Sequence, residues 1–164
     1  MTPVAAGTKI DRPAEDKVLV FFTRPSSYGG MIQATIYDGE TYVGTVSSGT
    51  HVAYETTPGP HLFMVIAESA DFMQAELLPG RTYYAGVHAR MGVWKARFSF
   101  VPFNGAEVKE GRAEVEDSRQ VVANEAGRQW ASQNAPNILE KKTKYLPAWE
   151  RKPDRQTLRA ESGI

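Results

Sequence analysis

The chain contains no cysteine, which excludes a disulfide framework, a thiolate zinc site and a cysteine nucleophile. It has no excess of either charge: 19 lysines and arginines stand against 19 aspartates and glutamates. That balance argues against a nucleic-acid binder working through an overall basic surface. Long hydrophobic runs are missing as well. The longest, residues 18–22 and 62–67, are strand-sized and far short of the ~18 apolar residues that a membrane-spanning helix needs. The opening Met1-Thr2-Pro3-Val4-Ala5-Ala6-Gly7 has neither the basic start nor the apolar stretch of a secretory signal. Residues 1–16 therefore read as a flexible leader.

What is present is ordinary globular composition. The 164 residues are 41% hydrophobic and 23% charged, enough for one domain with a solid core plus an appendage. Residues 17–103 alternate short segments rich in Val, Ile, Phe, Tyr and Thr with turn formers. The spacing predicts strands over 17–24, 32–38, 41–46, 51–55, 61–67, 71–78, 82–90 and 93–101. Pro25-Ser26-Ser27-Tyr28-Gly29-Gly30, Asp38-Gly39, Ser47-Ser48-Gly49, Pro58-Gly59-Pro60 and Pro79-Gly80 punctuate them. About eight strands with no helices between them predict an antiparallel β-sandwich.

The last two segments sort their faces together. With a turn at Met91-Gly92, Arg90 faces Val93. Tyr83, Ala85, Val87 and Ala89 then share an apolar side with Trp94, Ala96, Phe98 and Phe100. Tyr84, Gly86, His88 and Arg90 share the other side with Val93, Lys95, Arg97 and Ser99. A slip by one residue would destroy the agreement, whereas a loop longer by an even number preserves it. At Asp38-Gly39, a second hairpin is expected to pair Ala34 with Val43 and Ile36 with Thr41.

Beyond Phe103 the pattern changes, and residues 104–164 read as a linker with a C-terminal helical extension. Val115, Val122, Ala126 and Trp130 lie at helical spacing. A second helix is expected from about Pro136 to Leu146, ended by Pro147.

The order of motifs in residues 17–103 carries a resemblance. Val18-Leu19-Val20-Phe21-Phe22-Thr23-Arg24-Pro25 is followed by Asp38-Gly39, Val43-Gly44-Thr45 and Thr57-Pro58-Gly59-Pro60-His61. Leu78-Pro79-Gly80-Arg81-Thr82-Tyr83-Tyr84 and Met91-Gly92 complete the series. This series resembles a PEGA-like family of bacterial envelope and lipoprotein-associated β-domains. The resemblance implies a small β-sandwich of the periplasm or outer envelope, with no catalytic residues assigned. A lipoprotein is implied by the resemblance, with membrane attachment through an upstream anchor that this chain lacks. A native start at Met1 would instead indicate the cytoplasm.

Catalytic motifs are scarce. His51, His61 and His88 show no ligand spacing, and His61, directly after a Pro-Gly turn, is expected to cap the turn's carbonyls while its ring packs on the sheet. No Gly-x-Ser-x-Gly elbow and no Gly-x-Gly-x-x-Gly loop occurs. Glu68 and Asp71 form an acid pair in sequence, expected to be solvated at a hairpin turn. The expectation is therefore a protein that is not an enzyme, with a small hydrolase as the alternative, and with no cofactor and no metal.

Three candidate binding regions remain. The polar side of the last hairpin gathers Tyr84, His88, Arg90, Lys95 and Arg97, cations beside an aromatic ring that suit an anionic glycan, lipid or peptide. Tyr28 stands on a Gly- and Ser-rich loop. In the tail, Lys141, Lys142, Lys144, Arg151, Lys152, Arg155 and Arg159 face only Glu150 and Asp154. Trp130, Lys141, Lys144, Tyr145 and Trp149 are its interaction candidates. The function expected is a structural or protein-interaction module of the cell envelope. Its expected partner is a protein or envelope component, with an anionic polymer as the alternative and nucleic acid not expected.

Overall fold

Turn formers and β-rich segments alternate in the chain, and the fold follows that alternation. The computed structural model describes residues 1–5, 7–25, 32–90 and 97–164. In chain order they form β1 (Thr2–Pro3), β2 (Val18–Arg24), β3 (Ala34–Asp38), β4 (Thr41–Val46), β5 (Thr50–Thr56), β6 (Gly59–Ile66), β7 (Ala70–Leu77), β8 (Thr82–Arg90) and β9 (Arg97–Pro102). They continue with α1 (Val108–Glu116), β10 (Arg119–Val122), α2 (Glu125–Glu150) and β11 (Thr157–Leu158). Sheet I runs β1-β10-β5-β2-β8-β9 and sheet II runs β11-β7-β6-β3-β4.

The mainly β sandwich with a C-terminal helix is the observed class. It has eleven strands among the described residues rather than about eight, and it is not strictly antiparallel. β2 runs parallel to β8, β10 to β5, and β11 to β7. The reason lies in the connections. Only strands joined by tight hairpins are forced to run antiparallel. Between β2, β5 and β8 the chain crosses to sheet II and back, which frees their relative direction. Ser47–Gly49 and Pro79-Gly80 are thus corners between sheets, not hairpin turns.

The two predicted hairpins form in altered register. Arg90 pairs with Arg97 instead of Val93. The shift of four residues is even, so the faces survive: Tyr83, Ala85, Val87, Phe98 and Phe100 all point into the core. Ala89, at the sheet's end, is exposed. Trp94 and Ala96 lie outside the described residues. At the other hairpin Asp38 pairs with Thr41 across Gly39-Glu40, and a bulge after Ile36 sets Ala34 opposite Val46. Gly39 holds φ +58°, the left-handed conformation a two-residue turn demands.

Three apolar clusters make four layers. The main core lies between the sheets, with Val18, Val20, Phe22, Phe63, Met73, Tyr83 and Phe100 fully buried. On the outer face of sheet I, Leu19, Phe21, Tyr84 and Phe103 pack beneath Val108 and Val115 of α1. On the outer face of sheet II, Tyr37, Met64, Ile66 and Phe72 pack beneath Ile138 and Trp149 of α2. Central strands covered on both sides need apolar residues at every position. That is why residues 18–22 and 62–67 are uninterrupted hydrophobic runs.

Where a linker is expected to follow Phe103, the chain forms α1 within a few residues. Val122, part of a helix-like stripe in sequence, belongs with Val121 to β10 instead, which links β1 to β5. The expected second helix is longer at both ends: α2 begins at Glu125 and passes through Pro136 and Pro147. The opening residues join the fold too, with Thr2 and Pro3 paired to Val122 and Val121.

Candidate functional site

α2 starts well and is held firmly at its far end. Asn124 caps it, its side chain accepting from Gly127 N at 2.9 Å, which satisfies an otherwise orphaned donor. At the C-terminal end Trp149 is buried against Phe72, their ring centroids 5.9 Å apart, and its Nε1 donates to Gln156 at 2.9 Å. Between these points a cleft of about 640 Å³ lies along the helix where it borders sheet II.

Tyr37 and Met64 line the cleft from the sheet, both buried. Ala131, Ala135, Pro136 and Leu139 line it from α2. Pro136 has no N–H to offer the carbonyl of Ser132, which also lines the cleft. At the rim, Lys142 Nζ lies 3.8 Å from Glu40. A smaller cleft of about 360 Å³, touched by Trp130 and Lys141, shares Tyr42 and Ile138 with it.

Tyr37 is the singular group here. It is 3% exposed, and among the described residues its Oη is the only buried side-chain oxygen or nitrogen without a hydrogen-bond partner. Its neighbour Tyr42, edge-on with ring centroids 5.9 Å apart, turns its own hydroxyl to Thr45 at 3.2 Å. Burial, aided by Tyr42, pushes the Tyr37 phenol up to about 12, so it is a proton donor at any physiological pH.

The candidates from the sequence are dispersed. Tyr84 is buried beneath α1, stacked on Phe21 at 5.5 Å. His88 is half-buried, with Nε2 3.1 Å from Glu114. Arg90 and Arg97 are exposed register partners. Lys95 and Tyr28 lie outside the described residues. In the tail, Trp130 is 43% exposed, Lys141 donates to the carbonyl of Ala67, and Lys144 sits 5.5 Å from the ring of its neighbour Tyr145. Tyr145 packs on the outer cluster of sheet II, and Trp149 is buried within it.

The remaining polar clusters tie elements together. Glu114 bridges the Thr23 hydroxyl and His88, docking α1 on sheet I. Burial alone would raise the Glu114 carboxyl, but the His88 and Thr23 hydrogen bonds outweigh it and hold the group below its ordinary value. The buried His51 lies with Nδ1 2.8 Å from Ser118 Oγ, which itself donates to the Glu114 carbonyl. His61 meets Asp38 at 2.8 Å and the Thr57 carbonyl at 2.9 Å while stacking on Phe63, the turn-capping arrangement its position suggested. Asp71 is not solvated. It accepts from Phe100 N at 3.1 Å and Gln156 at 2.9 Å, and burial raises its pKa. Among the described residues no three His, Asp or Glu side chains gather as metal ligands would.

Sequence reasoning missed the cleft. Its one legible trace is the run of small residues Gly127, Ala131, Ser132 and Ala135 at helical spacing, which leaves room beside a helix. Set against protein-family models, curated proteins and solved structures, the chain matches none of them.

Proposed function

We propose that the protein is a non-enzymatic β-sandwich module of the bacterial cell envelope that works by binding, and that it binds in the cleft between α2 and sheet II. One observation carries this reading: a cleft of about 640 Å³ lined largely by apolar groups, Met64, Ala131, Pro136 and Leu139 among them. A volume of this order suits a small-molecule site. The engagement of His51, His61, His88 and Glu114 with groups of their own fold supports a binding role over catalysis. The resemblance of residues 17–103 to envelope β-domains supports the compartment. The outer side of the last hairpin has less behind it as a face for anionic ligands, because Tyr84 is buried and His88 is engaged, leaving Arg90 and Arg97 among the described residues.

Diphenylhexatriene, an uncharged hydrocarbon dye, tests the site. It should bind saturably with a rise in fluorescence. Ala135→Trp, which fills the cleft from an exposed helical position, should weaken that binding at least tenfold (~1.4 kcal/mol) while leaving the circular dichroism unchanged. Undiminished binding by a folded Ala135→Trp variant defeats the reading.

A further inference from the structure

We propose that the smaller cleft, of about 360 Å³, is a saccharide site. The exposed indole of Trp130 covers the C–H face of a sugar ring there, and amide side chains beside it meet the ring's hydroxyl groups. This goes beyond the reading above: it assigns a second ligand class to a second cleft, on the other flank of α2.

The two flanks differ in chemistry. Successive residues of a helix are turned by about 100°, which sets Trp130, Asn137 and Lys141 in one row and Ala135 and Leu139 in another, roughly opposite. The second row borders the apolar cleft and the first row the smaller one. Beneath the first row the outer face of sheet II is polar as well. Where the rest of that face carries Tyr37, Met64 and Phe72, this end carries Thr35 and Thr45, their hydroxyls 3.2 Å apart.

The groups at the mouth are free to take a ligand. Among the described residues, the side chains of Gln33, Trp130 and Asn137 have no hydrogen-bond partner within the protein, and all three are exposed. Water serves them in the free protein. An amide both donates and accepts, and the indole N–H donates, so sugar hydroxyls, which also do both, replace that water in kind. A hydrocarbon would strip the water and return nothing. Trp130 meets the other half of a sugar. A pyranose ring has a flat face of C–H groups, and an aromatic plane matches it in shape and polarity. Folding ordinarily buries most of a tryptophan, yet this one stays 43% exposed beside a concave surface. At the far end of the row Lys141 donates to the Ala67 carbonyl and ties the helix to the sheet. A wall fixed in advance spares the ligand the cost of ordering it.

Saturation-transfer difference NMR on the whole chain tests the site with four probes: cellobiose, maltose, lactose and N,N′-diacetylchitobiose, each at millimolar concentration. At least one should receive saturation, strongest on its ring C–H protons, and those protons should move upfield under the indole ring current. Trp130→Ala should weaken that binding about tenfold with unchanged circular dichroism, and Trp130→Phe, which keeps an aromatic face, should lose less. Asn137→Leu, at an exposed position, should weaken it about threefold. Ala135→Trp should leave it within twofold, because Ala135 lines the apolar cleft and not this one. The two readings therefore fail separately. Saturation of none of the four sugars overturns the proposal, as does binding indifferent to folded Trp130→Ala and Asn137→Leu variants. A loss on Ala135→Trp as large as that on Trp130→Ala places the sugar elsewhere and overturns it too.

Discussion

At the scale of single residues, the buried polar groups give the molecule its response to pH. His51 is 2% exposed, and burial, with the charge of Lys9 adding to it, lowers its pKa to about 4. The unfolded chain takes up a proton at this histidine near its ordinary value of 6.5, while the folded chain does not. Stability is therefore complete above that value and is lost as the pH falls towards 4. Between pH 6.5 and 5 the loss should be about 2 kcal/mol, measurable by urea unfolding, and His51→Gln should flatten that slope. Glu114, held below its ordinary value, adds a loss of the same sign at still lower pH. Asp71, raised by burial, works in the opposite direction, since its protonation favours the folded state. The alternation of faces is visible in one dimension, but the partners of these groups are not. His51 and Ser118 meet across 67 positions of chain, and nothing local in either segment announces it. Tyr37 is illegible for the same reason: whether a strand tyrosine finds an acceptor depends on which groups a helix distant in sequence lays over it.

At the scale of elements, legibility followed length and period. The strands of residues 17–90 could be read because turn formers bracket them and because a strand buried on both faces is apolar throughout. α2 was read short because proline ordinarily ends a helix. Here the packing of Ile138 and Trp149 on sheet II carries the helix through both prolines. β10 was missed because four residues, Arg119–Val122, are too few to show a period of their own. α1 offers a direct test of packing against propensity. By propensity alone, Gly111→Ala inside a helix should stabilise by about 1 kcal/mol. A Cβ at Gly111 would, however, fall 2.6 Å from both Phe103 and Tyr84. The close approach should win, so that Gly111→Ala costs about 1–3 kcal/mol in urea unfolding and loosens the Glu114 contact with His88, visible as a shift in the His88 ring resonances.

At the scale of the whole molecule, segments remote from the central strands complete both sheets. Leu158 of β11 is fully buried in the main core, so Leu158→Ala should cost about 2–5 kcal/mol, a loss that thermal unfolding would register over the entire protein rather than the tail. Thr82 and Ile164 exchange backbone hydrogen bonds at 2.8 and 3.0 Å, and Tyr83 donates to the Ala160 carbonyl at 2.9 Å, which bind the same stretch to sheet I. β2 sits between β5 and β8, with much of sheet II threaded between them in the chain. Assembly must therefore close long loops before it is rewarded, which places refolding in the millisecond-to-second range typical of such β topologies. During synthesis on the ribosome the effect is sharper. Until Thr157 and Leu158 have emerged, the side of β7 that they cover remains an open sheet edge able to recruit a neighbouring nascent chain, so stalled or truncated products of this protein should be the ones that aggregate.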